Sequence, residues 1–286
     1  MAITETPGFT TEDHEYVRYG DRSLKLRLFR PEGVAAAPVI VDLHGGGWGK
    51  GSLTECDTRG AAYASAGFAV AALDFRQFDD RYPSSSQDIN YAIRWLKARA
   101  GELGLDATRV AINGQSSGGH LAMLAGMRPN DARYGEIPLP DGLPATDATV
   151  ACVGLMWPVI NPLSRYRRVC RLLDAGNPPK WVGDLRERHD VYWVTEAAME
   201  EGNPMLALER GEQVELPPAI WFQGQPDPVH DYRDTESPRD LNEPERFAAN
   251  YREAGGDIEI VHVEQAERSN PDLLGPMIAF FRKHLG

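Results

Sequence analysis

The stretch RVAINGQSSGGHLA, residues 109–122, decides the fold. Its first half is an apolar run of the kind that forms a buried strand, and its second half opens a helical pattern. Between them lies G-x-S-x-G, Gly114 to Gly118, with Ser116 at its centre. A serine at a tight strand-to-helix turn projects its hydroxyl from the strand end, and the flanking glycines leave room for it. A plain Gly/Ser turn without chemistry would give the same letters, so the motif needs context.

Context comes from HGGGW, residues 44–48, which follows another continuous apolar run, PVIVDLH at 38–44. Glycine-rich backbone after a strand can aim N–H groups at a developing oxyanion. Gly46 and Gly47, with the N–H of Ser117, are the expected donors, and Gly45 shapes the turn. Further strand-like runs occur at 15–31, 67–75, 148–157, 219–224 and 257–263. Helical patterns fall between them at 55–66, 87–103, 117–126, 244–254 and 271–284. Strands that alternate with helices predict a mostly parallel sheet covered on both faces. Residues 158–217 break the rhythm, being rich in Pro, Arg and Trp without a central strand. A structureless loop of that length is improbable in a compact domain, so an inserted helical cap is expected.

The order and spacing of PVIVDLHGGGW, DFRQFDDRYPSSSQDINYAIRWL and GLDATRVAINGQSSGGHLA resemble the α/β-hydrolase fold. Within it, the chain is similar to the hormone-sensitive-lipase-like and arylformamidase-like esterases. Asp74, Arg76, Tyr82, Pro83 and Asp88 fall on that family's D-Y-R…Y-P…D pattern, with Phe75 in place of the usual tyrosine. The resemblance implies one α/β-hydrolase domain over residues 1–286, with an eight-stranded sheet and a cap at 158–217. It also implies a carboxylic-ester, or related acyl or formamide, hydrolase that uses Ser116. It places the acid at Asp227, in the G-x-x-D turn of FQGQPDPVHD, with Asp231 and Asp234 as fallbacks. Trp48, Trp181 and Trp193 are expected to contact substrate, with Trp157, Tyr166 and Tyr192 as further pocket walls.

One position departs from the family. Aligning Ala266 with the family alanine puts Arg268 where the catalytic histidine belongs, and a guanidinium cannot accept a proton at workable pH. On that reading the serine lacks its base, esterase activity is weak, and Arg268→His restores it. Arg268 is expected close to Asp227. His230, on the same loop as Asp227, is the best substitute base, and His262 a second. The alternatives are a non-hydrolytic lyase or dehydratase that uses Arg268, and a catalytically dead binding protein.

The formal net charge of −12 argues against nucleic acid and anionic membrane surfaces as partners. The expected partner is a small acyl or ester substrate, and a homodimer is left open. Cys56, Cys152 and Cys170 form neither a disulfide framework nor a zinc signature. No metal or organic cofactor is expected. Four arginines on one cap stretch, Arg165, Arg167, Arg168 and Arg171, would attract an acidic substrate or form a solvated helix face. The polar, acidic start of the chain and the lack of a long apolar run point to a soluble, cytoplasmic protein.

Overall fold

The computed structural model describes residues 8–286. The first seven residues of the polar start lie outside the described residues. One sheet of eight strands has the order β1-β2-β4-β3-β5-β6-β7-β8. A hairpin of β1 (Phe9–Tyr19) and β2 (Arg22–Pro31) pairs antiparallel, and β2 pairs antiparallel with β4 (Ala69–Leu73). The remaining strands run parallel: β3 (Ala37–Leu43), β5 (Leu105–Gln115), β6 (Val153–Met156), β7 (Ala219–Gln225) and β8 (Ile258–Glu264).

The apolar runs at 38–44 and 67–75 are continuous because β3 and β4 are buried on both faces. Their side chains alternate between two cores, as the two-residue period of a strand requires. Val39, Val41 and Leu43 face one core together with α2 (Ser84–Ala98), α4 (Ser117–Met127) and α9 (Glu243–Glu253). Ile40, Val70 and Ala72 face the other, against α1 (Asp57–Ser65) and α10 (Gly275–Leu285). The one-turn α3 (Ala100–Leu103) ends at Gly104, in left-handed conformation, and leads into β5.

The sequence places the first strand at residue 15, whereas β1 begins at Phe9. Its leading residues are mostly exposed at the sheet edge, so no burial pattern marks them. The helix expected over 87–103 begins three residues earlier and breaks at Arg99.

Residues 158–217 join β6 to β7 and carry α5 (Pro162–Asp174), α6 (Leu185–Trp193), α7 (Glu196–Glu201) and α8 (Pro204–Glu209). Local chemistry starts these helices. Asn161, Thr195 and Asn203 each accept a hydrogen bond from a first-turn amide, and Pro162 and Pro204 occupy first-turn positions. Asn203 Nδ2 also donates to Asn161 Oδ1 at 2.9 Å, which ties the start of α8 to that of α5. Among the described residues no helix is long and apolar enough to cross a membrane.

Candidate active site

Ser116 sits between the end of β5 and α4 with φ 53° and ψ −116°. A non-glycine residue at such angles is strained and is held there by its surroundings. Here the Ser116 N–H donates to Met156 O at 2.9 Å, and its carbonyl accepts from His120 N at 3.1 Å and Val159 N at 3.0 Å. The turn needs glycine because backbone packs on backbone. A side chain at Gly118 would place its Cβ 2.2 Å from His44 O, at the end of β3.

The HGGGW loop lies alongside. His44 Nδ1 lies 2.7 Å from Gly45 O, and its ring stacks on Phe75 at 4.4 Å. Gly46 has φ +113°, and a Cβ there would meet Lys50 O at 1.8 Å. Gly46→Ala should therefore cost at least about 1–3 kcal/mol of stability, measured as a lower urea midpoint, because the backbone angle alone carries that penalty. The Gly47 N–H donates to Ser117 Oγ at 2.9 Å. This differs from the expectation of a free amide at Gly47, since the Ser117 side chain takes that donor.

The loop after β7 carries the acid and a histidine within one turn. Asp227 Oδ1 accepts from Val229 N at 3.1 Å and His230 N at 3.3 Å. Asp227 Oδ2 lies 2.8 Å from His230 Nδ1, and His230 Nε2 lies 3.0 Å from Ser116 Oγ. An ionised carboxylate only accepts, so His230 donates from Nδ1 and presents a bare Nε2 to the serine. Both residues are buried. Burial pushes the His230 pKa below its ordinary value of 6.5, against the opposing pull of the Asp227 hydrogen bond and charge. Asp227 is held below its usual range: burial raises it, but the His230 hydrogen bond and the nearby His230 and Arg268 charges outweigh that.

Arg268 follows the turn after β8 and reaches the oxygen of Asp227 that also faces His230, with Nη1 3.3 Å from Oδ2. Its guanidinium lies over the Trp157 ring at 4.8 Å. The same side chain lines a cavity of about 260 Å³ with Gln115, Trp157 and Asn270. It makes no hydrogen bond to Ser116. His262 is exposed on β8. His120 is held neutral, its pKa lowered by burial to about 4, between the Trp48 indole N–H at 3.3 Å and Gly202 O at 2.7 Å. Asp231 accepts from Asn242, and Asp234 pairs with Arg246, so neither fallback acid hydrogen-bonds a histidine.

Of the three tryptophans expected to contact substrate, Trp48 and Trp193 are buried and Trp181 is partly exposed. Trp48 and Trp193 are each 1% exposed and pack edge to face at 5.2 Å, with Tyr192 and His120 around them. They pack between the HGGGW loop and residues 158–217, where α6 folds its aromatic end inward. Trp157 and Tyr192 are likewise fully buried. Trp181 is partly exposed and carries the Arg168 guanidinium at 4.8 Å.

The BD-FAE family model matches residues 26–148. Esterase LipC of Mycobacterium tuberculosis is 35% identical over 124 residues, covering 41% of this chain and 30% of that protein. Ethyl acetate hydrolase of Pseudomonas putida is 40% identical over 107 residues, 36% of this chain and 34% of that protein. The match thus spans about a third of the length of these relatives. An arylesterase of Saccharolobus solfataricus matches more extensively, at 25% identity over 80% of this chain and 70% of its own. The crystal structure of the metagenomic carboxylesterase EstE1 superposes with a TM-score of 0.72 at 23% identity, covering 98% of this chain and 91% of that one. With the strand order and the strained serine turn, these likenesses establish that the chain has the α/β-hydrolase fold.

Proposed function

We infer that the protein hydrolyses carboxylic esters, with Ser116 as nucleophile, His230 as general base and Asp227 as the acid that orients it. The observation that carries this reading is the unbroken chain from Ser116 Oγ to His230 Nε2 at 3.0 Å and from His230 Nδ1 to Asp227 Oδ2 at 2.8 Å. These are the distances and roles that a serine–base–acid relay needs. The esterase names of the relatives support the same reaction class.

In this mechanism the Ser116 hydroxyl gives its proton to His230 Nε2 as its oxygen bonds to the ester carbonyl carbon. The tetrahedral oxyanion is stabilised by backbone N–H groups of Gly46 and Ser117, and by Gly47 once its amide turns from Ser117 Oγ to the oxyanion. Collapse breaks the bond to the alcohol oxygen, which leaves with the proton held by His230. Water then adds to the acyl-serine, gives a proton to His230, and the acid departs as Ser116 regains its proton. Arg268 is a positioning residue, a fixed cation on the same Asp227 oxygen, Oδ2, that faces His230 Nδ1. Because His230 supplies the base, Arg268→His is not expected to bring a gain of orders of magnitude.

The test combines labelling with a pH profile. A fluorophosphonate probe should label the protein rapidly and the Ser116→Ala variant not at all. For a short aryl ester, kcat/KM requires neutral His230. Activity is therefore lost as pH falls through the His230 pKa, and the acid limb should lie below 6.5. The Arg268 charge contributes to that depression, so Arg268→Met should move the limb upward. An unlabelled Ser116 and no turnover of any ester would remove the hydrolase reading.

A further inference from the structure

The four arginines of α5 divide into two pairs. Arg167 and Arg171 point outward and pair with Glu236, each at 2.7 Å, and Arg167 also meets Glu196. Arg165 and Arg168, three residues apart and so on a shared helix face, have no carboxylate partner among the described residues. Arg165 is 2% exposed. Its Nε lies 3.4 Å from His189 Nε2, its guanidinium lies 5.0 Å over Trp48 of the oxyanion loop, and its Nη2 is buried without a hydrogen-bond partner. His189 cannot neutralise it. Burial and the Arg165 charge hold that imidazole in its neutral form, and its Nδ1 lies 2.7 Å from Leu185 O. Arg168 stacks on Tyr232 at 4.2 Å and donates to Pro228 O, inside the Asp227–His230 turn, at 2.6 Å.

A buried guanidinium without an anion is costly, and proteins ordinarily pair such charges. Burial lowers the Arg165 pKa only to about 10, so the charge persists at neutral pH. Its field reaches His230. Asp227 lies within Coulombic reach of Arg168, but its oxygens are engaged by His230, Val229 and Arg268. Resting on the hydrolase reading above, we propose that Arg165 and Arg168 bind a carboxylate carried by the ester substrate. The preferred substrates are then anionic esters, such as half-esters of dicarboxylic acids. Arg165 supplies the unpartnered donor, and Arg168 adds charge at the base-bearing turn. A guanidinium is suited to a planar carboxylate because its donors form a fixed fork.

Two matched pairs test this. Mono-4-nitrophenyl glutarate against 4-nitrophenyl pentanoate places the carboxylate on the acyl side. 4-Acetoxybenzoate against its methyl ester places it on the alcohol side. In at least one pair the anionic member should have the higher kcat/KM by about tenfold or more, the scale of one charge-assisted hydrogen bond. Arg165→Met should collapse that ratio through KM, and Arg168→Met should reduce it. A preference for the neutral member in both pairs overturns the proposal, as does a variant that slows both members equally. Should Arg165→Met fail to fold, Arg168→Met and calorimetric binding of free glutarate to the unmodified protein decide the matter. Binding that weakens in Arg168→Met supports the site, and no binding overturns it. Turnover of the neutral esters reports on the hydrolase reading separately, and glutarate binding needs no turnover at all.

Discussion

His230→Ala should lower kcat/KM for a short aryl ester by about 10²–10⁴-fold, the usual worth of a positioned general base. The loss arises because, among the described residues, Ser116 Oγ has one proton acceptor within reach, His230 Nε2 at 3.0 Å. The effect should not add to that of Ser116→Ala, because residues that act as a unit fail together. A steady-state assay of the two single variants and the double variant reads this directly. If His230→Ala keeps full activity while Ser116→Ala loses it, the base lies elsewhere and the relay is wrong.

Asp227→Asn should cost about 10³–10⁴-fold in kcat, a loss of the size known when an orienting carboxylate becomes an amide. Asparagine keeps the volume, but its amide can donate to Nδ1 and so favour the tautomer that carries its proton on Nε2, facing the serine. The acid limb should move downward too, since the Asp227 charge and hydrogen bond both raise the His230 pKa. Circular dichroism should remain native, although Asp227 also accepts from the Val229 and His230 amides and that loop will soften.

Legibility in the sequence followed how local each signal was. The serine turn and the glycine loop declare themselves because each needs its special residues within five positions. The parallel sheet followed from alternating patterns and is the sheet found. The proposed base was harder. Alignment to a family position drew attention to Arg268, whereas His230 had only its place three residues after Asp227 to recommend it. Whether an imidazole on that loop reaches Ser116 depends on how β7 and the β6–β7 connection sit against the serine turn, which no local pattern encodes. The burial of Trp48 and Trp193 was hidden for a related reason. An aromatic in a Gly-rich loop looks the same in sequence whether it faces solvent or an inserted helix, and here α6 covers Trp48 and Trp193. The arginines of α5 were ambiguous until their partners were visible, since four cations along one helix can be solvated or buried.

The turn from Asp227 to His230 has a mechanical consequence. Acid and imidazole are joined by three peptide units, by hydrogen bonds from two backbone N–H groups to Asp227 Oδ1 and by the imidazole contact to Oδ2, so they travel as one rigid lever. Displacing the loop preserves the spacing between them and changes mainly the gap from imidazole to hydroxyl. The tip of that lever is fastened to α5 through Pro228 O and Arg168. A shift of α5 would be geared onto one coordinate, the 3.0 Å separation at Ser116, leaving the rest of the relay in register.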